Sequence, residues 1–254
     1  MNKDIQYKDL NDILEKYKGT CSINNLKENH VTFARNYEYT KKCVDIYFNL
    51  CIILPNKISH RDYSHLHETI ELIFVDDVDL SFTIIHNAYV KRDGILYNIH
   101  ISDHAKIHQS AILDAEGLKV AISNNNQKIQ FTHTGGVKIE DHVEIGPYTV
   151  VHRASIDMTI IKKGVKIGAH CNIGHNNIIG KNTIFAAGVM TSGSVKIGEN
   201  CWLGTGCVVR NGINICDDVV IGIGSVVVKD ITKPGIYAGN PCKFLKEKSD
   251  NWNF

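Results

Sequence analysis

His175 and Gly193 stand eighteen residues apart, each third in a six-residue unit, IGHNNI and TSGSVK. If six residues form one side of a three-sided coil, eighteen complete a turn and the two positions stack one rung apart. A histidine and a glycine amide so placed can serve one reacting carbonyl. The ring removes a proton from an incoming nucleophile, and the N–H stabilises the oxyanion. General-base help is worth about 10²–10⁴ in rate. Taken alone, His175 reads equally well as a surface histidine in a chain that has 13 of them. The chemistry therefore depends on whether the coil exists.

The repeat supports the coil. Residues 161–232 divide without a gap into IKKGVK, IGAHCN, IGHNNI, IGKNTI, FAAGVM, TSGSVK, IGENCW, LGTGCV, VRNGIN, ICDDVV, IGIGSV and VVKDIT. Every first position except Thr191 is apolar. Second positions favour small residues, which suit tight corners. A period of six fits neither a helix nor a two-faced strand, but it fits a prism of short parallel strands whose coils rise by about 4.8 Å. Weaker units run back through 139–156, a break is expected at 157–160, and opening turns are expected at 101–112. Residues 113–136 fit no hexad and are predicted to project as a hairpin.

The first hundred residues follow other rules. Leu10, Ile13, Leu14 and Tyr17 share one face of a helix predicted from Tyr7 to Lys18. The runs VTF, IYFNLCIIL, IELIFV and LSFTIIH predict the apolar elements of a small α/β domain. The expected organisation is an α/β domain over 1–98, a β-helix over 99–232 with the hairpin at 113–136, and a cap and tail over 233–254. The fold class is mainly β.

Composition narrows the partners. A formal net charge of +1 argues against nucleic-acid or anionic-membrane binding. No apolar leader begins the sequence, and the stretch 43–54 is too short and too polar to span a bilayer. Eight cysteines without a CxxC pair, three of them (Cys171, Cys201 and Cys207) at one repeat position, read as core packing in a reduced cytoplasmic protein.

Several segments carry a resemblance: HVTFARNYEY from His30, GGVKIEDHVEIG from Gly135, HRASIDMTII from His152 and CNIGHNNIIG from Cys171. Together they resemble the hexapeptide-repeat acyltransferases, in particular the UDP-3-O-acylglucosamine N-acyltransferases of lipid A synthesis and related nucleotide-amino-sugar N-acyltransferases. The resemblance implies a left-handed parallel β-helix, a homotrimer, His175 as general base and Gly193 as oxyanion amide. It further implies that Phe33, Asn36 and Tyr39 hold a pyrimidine base, although Phe33 on its own reads as core packing. His133 and His152 are expected to line the sugar pocket, with Asp157 nearby to orient His175. For both histidines an exposed loop or corner is the bland alternative.

Departures from the family matter as well. The lipid A enzymes are longer, with more coils and a helical extension. A second family histidine falls here on Gly212, and a family acidic residue on His152. GIYAGNPCKFL resembles the ending of acetyl-CoA-dependent hexapeptide transferases, which implies coenzyme A contacts from Gly204, Thr205, Lys229, Asn240, Pro241 and Lys243. The expected activity is transfer of a short acyl group from acyl-CoA to the amine of a nucleotide-linked, dTDP-type amino-dideoxy sugar for surface polysaccharide, with no metal. Three alternatives remain at this level. They are a sugar O-acetyltransferase, a zinc carbonic-anhydrase-like β-helix using His170, His175 and a third histidine, and a non-catalytic scaffold.

Overall fold

The computed structural model describes residues 7–59, 61–94 and 98–248. The chain forms two compact units: residues 1–96 with 118–132, and residues 97–117 with 133–254. This division differs from the expected one. The hairpin insertion belongs with the N-terminal unit, not with the β-helix that its flanking residues build.

In the first unit, α1 (Tyr7–Lys16), β1 (Gly19–Thr20), β2 (His30–Phe33), β3 (Leu50–Pro55), β4 (Ile70–Val75) and α2 (Val78–Asp93) follow in order. The strands form one parallel sheet in the order β1-β2-β3-β4. β3 is buried along its whole length, as a central parallel strand should be. The run LSFTIIH, strand-like in isolation, lies inside α2, where Asp77 caps the N-terminus through Leu80 N–H at 2.9 Å. The insertion is an antiparallel hairpin, Val120–Ile122 with Lys128–Gln130. It is fastened to α2. Asn87 Nδ2 donates to Gln130 O at 2.8 Å, Thr132 N donates to Asn87 Oδ1 at 3.1 Å, and the buried His86 ring stacks on Phe131 at 4.2 Å.

In the second unit three sheets of six, eight and six strands wrap into a prism, parallel throughout except where Lys243–Lys246 pairs antiparallel with Gly235–Ala238 at the end of the eight-stranded sheet. The register advances by eighteen residues per coil, as in Ile173↔Thr191 and Thr191↔Val209. First-position side chains from Ile161 to Val227 and fifth-position side chains from Val165 to Ile231 are all buried, so two residues of each hexad build the core. The corner geometry is more specific than the sequence suggested. Left-handed φ falls at fourth positions, as at Asn176 (φ 60) and Gly188 (φ 70), which Asn and Gly tolerate best. Second-position glycines serve another purpose: a Cβ at Gly180 would collide with the backbone of Gly198 on the next coil.

Two insertions interrupt the prism. Between Ile139 and its partner Ile161 the register is twenty-two rather than eighteen, because four extra residues bulge within 153–157. The break thus precedes the strand Met158–Ile161 instead of occupying it. Between Ile101 and Ile139 it is thirty-eight, the hairpin accounting for the excess. Both insertions leave the same sheet, which carries Ile112–Ala115, Val150–His152, Asn172–Ile173 and Met190–Thr191. Both enter the same next sheet, so they share one corner.

Candidate active site

That corner also carries His175 and Gly193. Pairing of Ile173, Thr191, Val209 and Val227 in successive rungs sets His175, Gly193, Asn211 and Lys229, each two residues further on, in one column. The stacking is close. A Cβ built on Gly193 would overlap the His175 ring at Nε2 and Cε1 and lie 2.9 Å from Cδ2, so only glycine leaves room for the imidazole. Among the described residues, the Gly193 N–H has no hydrogen-bond acceptor.

The tautomer of His175 follows from its neighbours. Its Nδ1 lies 2.9 Å from Asn176 Oδ1, and that oxygen also accepts the Ser155 N–H at 2.9 Å. The Ser155 donor fixes the amide with its oxygen toward the ring, so Nδ1 carries the proton and Nε2 presents a lone pair. The partner of His175 Nδ1 is thus Asn176, while the backbone carbonyl of Asp157, the residue expected to orient the ring, accepts from Gly136 N–H at 2.9 Å.

His133 is fully buried and meets the His175 ring edge-on at 5.2 Å. Its backbone N–H donates to Glu116 Oε1 at 3.1 Å, and Gly117 gives both imidazoles space, since a Cβ there would lie 2.9 Å from His133 Nε2 and 3.1 Å from His175 Cδ2. His152 is half-buried, with Nδ1 donating to Glu116 O at 3.2 Å and Nε2 facing Asn172 Oδ1 at 3.0 Å. Neither histidine is the exposed loop or corner residue of the bland reading. Below them Arg153 and Asp114 form a buried ion pair, and Arg153 NH1 also donates to His133 O at 3.5 Å. Burial holds the Asp114 carboxyl above the usual carboxylate range, with Arg153 pulling it back.

Thr191, the one polar first-position residue, has a place in this arrangement. Its Oγ1 accepts from Gly174 N at 3.2 Å and from Asn177 Nδ2 at 2.5 Å, and it donates to Asn172 O at 3.2 Å. Asn177, wholly buried, accepts the Val195 N–H at 2.8 Å. This polar core ties the rung of His175 to that of Gly193. Asn172, Asn176, Glu116 and Gly117 carried no sequence signal beyond adjacency to hexad corners.

The residues implied for coenzyme A lie on the second unit's surface. Thr205, Lys229, Asn240, Pro241 and Lys243 are exposed and Gly204 is buried. Lys229 completes the His175 column, while Gly204 and Thr205 stack on Gly222 and Ile223 at another corner. His170 stacks on Tyr148 at 5.1 Å, away from His175. Among the described residues no cluster of three or more His, Cys, Asp or Glu side chains is arranged to hold a metal. Burial pushes the Cys201 thiol up to about 11 and the Cys207 thiol up to about 12, as core packing requires. Among the described residues, no helix is long and apolar enough to cross a membrane.

In the first unit, Phe33 ends β2 and packs on Phe82 with centroids 4.5 Å apart. Asn36 caps the short 3-10 helix Tyr37–Cys43, its Oδ1 accepting the Tyr39 N–H at 3.3 Å, which leaves its NH₂ available to a ligand. Tyr39 is exposed, with Lys42 Nζ 5.2 Å from its ring centroid.

Residues 194–229 match the model for the hexapeptide repeat of succinyl-transferase. The UDP-3-O-acylglucosamine N-acyltransferase of Delftia acidovorans is 36% identical over 132 residues, 52% of this chain and 39% of that protein. Its counterpart in Coxiella burnetii is 38% identical over 138 residues, 54% and 40% respectively. The matched region spans about two fifths of the length of these curated relatives. Among solved structures, a hexapeptide transferase family protein from Anaplasma phagocytophilum aligns at 20% identity and a TM-score of 0.48, covering 62% of this chain and 82% of that one. AntD, an N-acyltransferase from Bacillus cereus, aligns at 14% identity and a TM-score of 0.46, covering 64% and 89%. The chain therefore carries a parallel β-helix whose residues 194–229 match the hexapeptide repeat, and it is similar over about half its length to the UDP-3-O-acylglucosamine N-acyltransferases.

Proposed function

We propose that the protein is an N-acyltransferase that moves a short acyl group from acyl-CoA to the amine of a nucleotide-linked amino sugar. The observation that carries this reading is the His175 ring seated on Gly193, with Nδ1 held by Asn176 and Nε2 free to take a proton. The sugar amine attacks the thioester carbonyl carbon, and His175 Nε2 accepts the amine proton. The Gly193 N–H donates to the oxyanion. As the intermediate collapses, the new C–N bond remains, the C–S bond breaks and the proton passes to the departing CoA sulfur. Direct transfer in a ternary complex needs no acyl-enzyme, and proximity supplies much of the acceleration.

The similarity to UDP-3-O-acylglucosamine N-acyltransferases supports the acceptor class, and the AGNP segment before Lys243 supports a CoA thioester as donor. The substrate we favour is a dTDP-linked amino-dideoxyhexose for surface polysaccharide, handled by a homotrimer in the cytoplasm. Incubating the purified protein with acetyl-CoA and a panel of dTDP- and UDP-amino sugars, while following free thiol, tests it. A hydroxylamine-resistant product of acetylated mass is the expected outcome. A hydroxylamine-labile ester identifies an O-acetyltransferase instead, and no thiol release with any amino sugar overturns the reading.

A further inference from the structure

Lys119 is the least explained charge in the first unit. Hairpin pairing sets it opposite Phe131, whose N–H donates to Lys119 O at 2.8 Å. The ammonium lies 4.1 Å from the Phe131 ring centroid and 5.6 Å from that of Phe33, with most of the side chain buried. Among the described residues it makes no hydrogen bond or ion pair. Asp79, the carboxylate whose charge acts on it, is already engaged, taking Arg35 in a two-point bridge with Nε at 3.0 Å and NH2 at 2.7 Å. Arg35 in turn lies 5.3 Å from the Phe33 centroid. Desolvation first, and then the Arg35 charge, hold the Lys119 ammonium below the usual lysine range, while Asp79 acts the other way.

Aromatic faces attract a cation, but they satisfy none of its N–H donors. Two cations against one carboxylate leave the surroundings of Phe33 with an excess positive charge in a partly dry setting. Such a placement is unfavourable alone and becomes favourable when an anion arrives. A phosphoryl group suits it, since its oxygens take a lysine as a point charge and the free edge of a guanidinium as a hydrogen-bonding partner.

We propose that Lys119, with Arg35 beside it, forms a phosphoryl-binding subsite next to Phe33 that takes the diphosphate of the nucleotide-linked sugar. This rests on the acceptor class proposed above, and it assigns to the hairpin a role in acceptor affinity. It also makes Phe33 the junction between base and diphosphate. The subsite is a binding element, so its loss should raise KM for the nucleotide sugar and leave KM for the acyl donor unchanged.

Calorimetric titration of the full-length protein with inorganic pyrophosphate, dTDP and thymidine separates the two ideas. Lys119→Met keeps the apolar stem over Phe131, and Lys119→Arg restores the charge. Lys119→Met should weaken pyrophosphate and dTDP about ten- to a hundredfold and leave thymidine within twofold. Lys119→Arg should recover most of the loss. If pyrophosphate binding depends on Lys119 while thymidine does not bind at all, the subsite stands and the nucleotide reading of Phe33 falls. Unchanged dTDP affinity in Lys119→Met, or no pyrophosphate binding by the parent protein, overturns the subsite.

Discussion

Asn176 Oδ1 lies 2.9 Å from His175 Nδ1 and, at the same distance, accepts the Ser155 N–H from the four-residue bulge. One amide oxygen therefore fixes both the tautomer of the proposed base and the position of the segment beside it. Asn176 can do so because it occupies a fourth hexad position with φ of 60°, a left-handed conformation that Asn adopts more readily than most residues. That backbone conformation places the short side chain between ring and bulge.

Replacing Asn176 should therefore act through His175. Asn176→Asp retains an acceptor oxygen for both donors and the tolerance for left-handed φ, so it should keep most activity. Asn176→Ala loses both contacts and carries about 1–2 kcal/mol of backbone strain. Its kcat should fall about ten- to a hundredfold with KM little changed. Comparable kcat values for the Ala and Asp variants would show that the amide does not set the tautomer.

Gly193 offers a sharper test, because its Cβ position is filled by the His175 ring. Gly193→Ala must displace the imidazole from its seat on the amide. A loss of about 10²–10³ in kcat is expected, the scale for disabling one oxyanion donor. His175→Ala should cost about 10²–10⁴ and leave the melting temperature nearly unchanged, since the ring is only half-buried. If Gly193→Ala in the His175→Ala background still causes a large further drop, the two residues act separately. A small further drop shows that they work as a unit.

The corner bearing these residues was legible in the sequence because the hexads count residues. Eighteen separates His175 from Gly193 whatever the details, and first-position burial follows from the same count. Features that the count skips were not legible. Asn176 cannot be told from Asn182 or Asn200, which fill the same hexad position at other corners. The expected orienter, Asp157, lies eighteen residues before His175, yet the Nδ1 partner is the adjacent Asn176, which the same count does not single out. The hairpin was recognised, but its attachment to α2 through Asn87 and His86 depends on contacts between distant segments with no period to reveal them.

Thr191 tests the polar core separately from catalysis. Thr191→Val conserves shape but removes the oxygen that serves Gly174 N, Asn177 Nδ2 and Asn172 O. Gly174 N–H keeps its bond to the Thr191 carbonyl at 3.1 Å, so the buried Asn177 NH₂ is the donor that loses its acceptor, at a cost of about 1–3 kcal/mol. At about 2–4 °C per kcal/mol for a unit of this size, thermal unfolding should shift down by several degrees. If Thr191→Val unfolds at the parent temperature or above, the hydroxyl is dispensable and the coil tolerates a wholly apolar first position.

Lys119 makes a prediction about stability with a definite sign. Its ammonium is held below the usual lysine range in the folded protein, whereas in the unfolded chain it titrates near the ordinary value of 10.5. A lowered folded-state value means that the folded form binds this proton less tightly than the unfolded form. The penalty is therefore fully present below the lowered value, where both forms are protonated. It fades as pH rises from the lowered value toward 10.5, because the folded form releases its proton first. Lys119→Met removes the penalty and keeps the stem on Phe131, so the variant should melt above the parent at pH 7 without nucleotide. That advantage should shrink as the pH approaches 10. Saturating dTDP should reverse the order at pH 7, because the ligand stabilises the parent through the charge that the variant lacks. A variant that melts below the parent at neutral pH without ligand would show that the ammonium is already satisfied in the free protein, and would remove the reason to expect an anion beside Phe33.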